Sequence, residues 1–209
     1  MMKGRLYILG ILVFFISSCY DIKEEMVLNR NGSGVYQITF TLHDSVYAEM
    51  FAQDSMKMVN SIEKDLRKEK ERLLGIEGIH NVNCVVMKLG KVSRVGFEFK
   101  NVSALNKALV RDSNSPRYFL TKKNWSITGG LPMLFKLDEL GSDTSKQSRD
   151  LEQGIFQNSK YTADILVMGK IKSTGNKLAK KAGNRIVLNC DLNAVLDNKK
   201  TNTFQIKFK

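Results

Sequence analysis

Hydrophobic and polar positions alternate along Val35–Leu42, with Tyr36, Ile38, Phe40 and Leu42 on one side and Gln37, Thr39 and Thr41 on the other. A period of two is that of a β-strand with one buried face. A shorter run, Glu24 to Asn29, precedes it. Between the two, Asn29, Arg30, Asn31, Gly32, Ser33 and Gly34 include residues that accept positive φ, so the pair predicts a β-hairpin. The period then changes. Asp44 or Ser45 caps a helix that runs to about Leu74, with Tyr47, Met50, Phe51, Val59, Ile62, Leu66 and Leu73 near one face and Gly75 at its end. Lys and Arg on its second half interleave with Glu63, Asp65, Glu69 and Glu71, the pattern of a solvated face.

Ile79 to Leu89 and Val92 to Lys100 predict a second hairpin about Gly90 and Lys91, its inward face set by Val95, Phe97 and Phe99. Asn101 or Ser103 caps a short helix carrying Ala104, Leu105, Ala108 and Leu109, which completes the order ββαββα. Ser113 to Pro116 break the pattern. Tyr118 to Leu120 and Asn124 to Thr128 then read as short strands, and a loop and a polar helix follow before Asn158. Strands return at Tyr161 to Lys172, Arg185 to Leu192 and Thr203 to Lys209, with turns at Thr174 to Asn176 and at Asp197 and Asn198. The fold class is α+β: an antiparallel sheet built from hairpins, a long helix packed on it, and C-terminal strands, all in one domain over residues 24–209.

The first residues obey another rule. Met1 to Arg5 are cationic, Leu6 to Ile16 are apolar apart from Gly10, and Ser17 and Ser18 lead into Cys19. This is a secretion signal rather than a fold element, because its apolar run falls short of the roughly 20 residues that cross a bilayer core. The stretch resembles a bacterial lipobox, in which the cysteine is lipidated and becomes the first mature residue. Residues 1–18 are then a removed signal peptide and residues 19–23 a lipidated tether. Tyr20 follows the anchor where an aspartate would hold a lipoprotein at the inner membrane; by resemblance to that sorting rule, the expected location is the outer membrane of the cell envelope.

The formal charge is +12. The excess is concentrated at the C-terminus, where Lys170, Lys172, Lys177, Lys180, Lys181 and Arg185 crowd a predicted strand and its turn. They form either a docking face for anionic lipid or lysines that keep edge strands soluble. Export makes nucleic acid an unsuitable partner. Besides Cys19, the chain has Cys84 and Cys190, and an oxidising compartment allows a disulfide between them or two separate buried thiols. An apolar patch, Leu131, Pro132, Met133, Leu134 and Phe135, follows Gly129 and Gly130 and suits either the floor of a lipid-binding groove or a packed insertion.

Catalytic chemistry finds no anchor point. His43 and His80 lie in different elements without partners at ligand spacing, and the glycine-dense turn joins two strands rather than opening a helix. No catalytic residue, metal or cofactor is expected.

The segments "CYDIKEEMVLNRNGSGVYQITFTL", "LLGIEGIHNV", "VGFEFKNVSALNKAL" and "YTADILVMGKIKSTGNKLAKKAGNRIVLNCDL", with the ending "FQIKFK", resemble those of bacterial envelope lipoproteins with an LppM-type domain. The resemblance implies an α+β domain, a lipid anchor and binding of envelope lipid or glycolipid. The other role compatible with the sequence is that of a structural subunit contacting an envelope protein partner. Some members of that family hold the membrane through a C-terminal helix, which this sequence lacks, so the expectation rests on Cys19 alone.

Overall fold

The computed structural model describes residues 20–109, 159–174, 178–191 and 206–208. Strands β1 (Tyr20–Leu28) and β2 (Gly34–Leu42) are followed by helix α1 (Asp44–Leu74), β3 (Ile79–Met87), β4 (Val92–Phe99) and helix α2 (Val102–Leu109). After them come β5 (Lys160–Val167), β6 (Ile171–Thr174), β7 (Ala179–Ala182), β8 (Arg185–Asp191) and β9 (Ile206–Phe208). Seven strands form one sheet in the order β3-β4-β2-β1-β5-β8-β7, while β6 and β9 pair with each other. The fold is α+β, with the long helix on the sheet and strands at the C-terminus.

All neighbours in the main sheet are antiparallel except one pair: β1 runs parallel to β5, Glu24 opposite Ala163 and Met26 opposite Ile165. That seam joins the ββαββα part to the C-terminal strands. Hydrophobic alternation reports which face a strand buries, not which way its neighbour runs, so a sheet purely of hairpins was the natural expectation. β1 also begins at Tyr20, paired with Leu42, four residues before the strand start expected at Glu24. Tyr20 to Lys23, read as part of a tether, are therefore strand. Tyr161 to Lys172, expected as one strand, divides at Met168 to Lys170 into β5 and β6, and a further strand, β7, occupies what read as a turn.

One face of the sheet carries the core. Met26, Leu28, Tyr36, Ile38, Val95, Phe97, Phe99, Ala163, Ile165, Val167, Ile186 and Leu188 are all buried there in a single cluster with Ala104, Leu105, Ala108 and Leu109 of α2. Tyr36 and Phe97, cross-strand partners, stack with ring centroids 5.2 Å apart. α1 packs along β3 and the 3₁₀ turn Lys88–Gly90 through Met58, Val59, Ile62, Leu66 and Leu73. The helix is not continuous. Asp54 leaves helical geometry (φ −167°, ψ 88°), and its Oδ1 accepts a hydrogen bond from Lys57 N at 2.9 Å. Asp54 thus caps the second helical segment as an N-terminal residue would. At the far end of α1, Arg72 donates to both carboxylate oxygens of buried Glu69 and to the carbonyl of Ala108, which fastens α1 to α2. Asn101 caps α2 by accepting from Ala104 N at 2.9 Å.

The sheet edges are blunted by different means. In β3 a bulge between His80 and Asn83, with Asn81 at φ 52°, interrupts the ladder to β4. In β7, only four residues long, lysines occupy the two middle positions.

Gly34 is required for space rather than for an unusual φ. It opens β2 between Leu28 and Phe99, and a Cβ there would collide with the Val27 carbonyl oxygen and lie 2.6 Å from Phe99 Cζ. Gly34→Ala should therefore lower the unfolding free energy by about 3 kcal/mol, read as a reduced urea midpoint at unchanged slope. Gly183→Ala, where no atom lies within 4 Å, removes only the ease of a positive φ and should cost about 1 kcal/mol.

Candidate functional site

Both ends of the sheet carry exposed functional groups, and the register fixes which groups share an end. At one end lie Tyr20, Leu42, Val92, Met87, Lys160 and Asp191; at the other lie Leu28, Gly34, Phe99, Ile79, Val167 and Arg185. Eight strand steps separate the two ends of β1, about 27 Å.

The end opposite Tyr20 is a tip made of three turns tied together. In the β1–β2 turn, Gly32 takes φ 86°, Asn29 N donates to Ser33 O, and Asn31 Oδ1 accepts from Ser33 N and Oγ. Met168 N donates to Leu28 O at 2.8 Å, Arg30 Nε donates to Met168 O at 3.0 Å, and Val167 N donates to Asn184 O at 2.9 Å. These contacts bring Arg30, Lys170 and the β7–β8 turn to one end. Lys170 and Arg185 are exposed there, and the exposed Lys180 and Lys181 of β7 lie a few strand steps in from the end, in register with Glu25 and Met26. Strand alternation divides them: Lys181 lies opposite Ile186 and so on the core side of the edge strand, whereas Lys180 lies opposite Val187 on the outer side with Arg185. Arg185 Nε is 3.1 Å from Asp164 Oδ1, which offsets part of its charge. The side chain of Lys172, and Lys177 entirely, lie outside the described residues, as do Cys19 and Leu131, Met133, Leu134 and Phe135. Arg30 was not among the expected basic residues; its distance of 138 positions from Met168 leaves no local sequence signal.

The Tyr20 end has its own ties. Asp21 Oδ1 accepts from Lys160 N at 2.9 Å and lies 3.0 Å from His43 Nε2, joining β1 to β5 and to the entry of α1. Lys91 Nζ pairs with Asp44, whose carboxyl this hydrogen bond holds below its ordinary range. Beside them the 3₁₀ turn holds Lys88 at φ 51° and Leu89 at φ 52°. Two successive non-glycine residues in the left-handed region cost about 1–3 kcal/mol each, so the surroundings must impose them. Gly90 (φ 93°) is seated on α1, where a Cβ would come within 2.9 Å of Met58 Cε and 3.2 Å of Val59 Cγ2, and Tyr47 donates its hydroxyl to the Leu89 carbonyl at 3.3 Å.

Between the ends, the outer face is polar and paired. Glu25 accepts from Lys23 Nζ at 2.7 Å and from Gln37 Nε2 at 2.9 Å; the Lys23 hydrogen bond is the main reason its carboxyl titrates below the ordinary value. His80 meets Glu98 at 3.2 Å. Both histidines thus face carboxylates, and among the described residues no three His, Cys, Asp or Glu side chains gather as a metal site. The core face holds one unexpected carboxyl: Glu24, 2% exposed, accepts a hydrogen bond from the Tyr161 hydroxyl across the parallel seam. A buried carboxyl without donors is costly, which makes this bond a condition of the β1–β5 register.

The disulfide expected as one alternative does not form. Cys84 is on β3 and Cys190 on β8, five strand spacings apart in the sheet, about 24 Å, against the roughly 7 Å limit for bridged Cα atoms; both thiols are free. Each packs against the core, and burial pushes both thiols up, Cys84 to about 11.

Two measurements follow from these placements. Reduction should leave the mass of the protein unchanged, and at pH 8 Cys84 should alkylate about 100-fold more slowly than an exposed thiol, reaching the exposed rate in denaturant. Tyr161→Phe should lower stability by about 1–3 kcal/mol in urea unfolding, because it removes a donor from buried Glu24. A Tyr161→Phe chain as stable as the parent would mean that the bond contributes nothing to the register.

The chain matches no family model, no curated protein and no solved structure, which leaves the chemistry and placement of its residues as the ground for a functional assignment.

Proposed function

We propose that this chain is an exported lipoprotein, anchored to the outer membrane through lipid on Cys19, and that its domain is a non-catalytic binding module for anionic envelope lipid or glycolipid. The observation that carries the reading is the basic tip: Arg30 and Lys170 exposed around three hydrogen-bonded turns, with Lys180 and Lys181 exposed on the adjoining edge strand β7. Turns braced in this way hold their charges in a fixed arrangement, so an anionic group meets them without a large ordering cost. The tip lies about 27 Å along β1 from Tyr20, the residue next to Cys19. A ligand at the tip therefore belongs to a surface or molecule other than the lipid directly under the anchor. The resemblance to LppM-type lipoproteins supports the same class of ligand.

The test uses the full chain with Cys19→Ser, so that binding is not masked by the anchor. This protein should be unprocessed or soluble, lose metabolic palmitate, and in its soluble form sediment with vesicles containing phosphatidylglycerol at low salt but not at high salt, where the screening length falls to about 3 Å. Reversing Lys170, Lys180 and Lys181 to glutamate should weaken that binding about 100-fold, since each lysine contributes roughly 1 kcal/mol near an anionic surface. Membrane retention and palmitate label in the Cys19→Ser chain would overturn the anchor, and unaltered vesicle binding by the reversed variant would overturn the tip.

A second reading, as an interaction subunit, draws on the paired polar groups of the outer face, Lys23, Glu25, Gln37, Arg185 and Asp164. It predicts an envelope protein, rather than lipid, recovered with the purified lipoprotein after cross-linking.

A further inference from the structure

The turn at Leu89 closes the β3–β4 hairpin against α1. Its backbone is held in the left-handed region, where glycine would serve better, and its side chain is 66% exposed. Met56, in the first turn of helix after Asp54, is 67% exposed, and Met58 of the same turn meets Gly90. These are the two most exposed large apolar side chains among the described residues. Both belong to the end of the domain that holds Tyr20. Leu42 pairs with Tyr20 on one side and donates its N–H to Lys91 O on the other, which sets the turn two strand spacings, about 10 Å, from Tyr20.

We infer that Leu89, flanked by Lys88 and Lys91, is a membrane foot that enters the bilayer leaflet carrying the Cys19 lipid. This rests on the reading of Cys19 as the anchor. A chain whose paired strand begins one residue after its lipid cannot hold this end far from the headgroups. An apolar side chain projecting there is buried by the membrane rather than by protein, with Lys88 at the depth of the phosphates. Asp44 pairs with Lys91 and Asp21 with His43 and Lys160 N, so these two carboxylates carry partners, while the exposed Asp191 lies on β8, four strand spacings from β4. A lipid anchor holds the protein at the membrane but leaves the domain free to turn; a second apolar contact fixes its orientation.

The experiment uses the full lipoprotein reconstituted in vesicles of phosphatidylethanolamine and phosphatidylglycerol, with and without brominated phosphatidylcholine. Leu89→Trp should emit at shorter wavelength than the same protein in detergent-free buffer and lose about half its added emission to bromine in the upper acyl chain, as expected of a side chain roughly 5–10 Å into the leaflet. The parent, with Trp125, supplies the background, and Met168→Trp at the opposite tip should be unquenched. Leu89→Gly relieves the backbone and so keeps the fold; it should abolish the restricted orientation seen by polarised infrared spectroscopy while the protein still floats with the vesicles. Flotation with an unquenched Leu89→Trp, or with Met168→Trp quenched instead, overturns the foot and leaves the anchor standing. Loss of flotation in the parent overturns both.

Discussion

Strand β1 is bonded antiparallel to β2 on one edge and parallel to β5 on the other, and its register decides both halves of the domain. Because side chains alternate, a slip of one residue would turn Glu24, Met26 and Leu28 outward and bring Lys23, Glu25 and Val27 into the core. Such a slip would break the hydrogen bond from Tyr161 to Glu24 and carry the charged groups of Lys23 and Glu25 into the core. A polar group inside the seam thus specifies alignment that apolar packing alone leaves less well defined. The same strand fixes where each end of the sheet lies in relation to residue 19.

Much of this architecture was legible in the sequence, for reasons that particular residues make plain. Tyr36, Ile38, Phe40 and Leu42 alternate in a strand whose faces differ in burial, and Asn101 lies where a cap for α2 belongs. The long helix was readable from its apolar face, although Asp54 was not recognised as an internal cap, because Ala52 and Gln53 continue the helical pattern up to it. β7 was missed since Ala179–Ala182 has neither apolar alternation nor a β-branched residue; pairing with β8, not propensity, makes it a strand.

What the sequence could not supply was separation in space. Cys84 and Cys190 both occupy apolar alternating runs, and only the strand order reveals the four strands between them. In the same way Lys180 and Lys181 are neighbours in sequence but belong to opposite faces of an edge strand, while Arg30 joins the basic tip through a bond to Met168. The left-handed turn at Leu89 had no signal at all, because its conformation is imposed by Gly90 on α1 and by Tyr47 rather than by its own residue type.

Pairing from Tyr20 onward has a consequence for reach. A lipoprotein on a flexible linker can sample a volume set by the linker's length and pass through openings in the surrounding polymer mesh. With β1 ordered one residue after Cys19, a lipid at that cysteine leaves no such linker. Under the proposed anchor the reach of the basic tip is then set by the length of β1, about 27 Å. A protein anchored as proposed would have no slack with which to search for a ligand, and whatever met the basic tip would have to come within that distance of the membrane by its own extension or by diffusion.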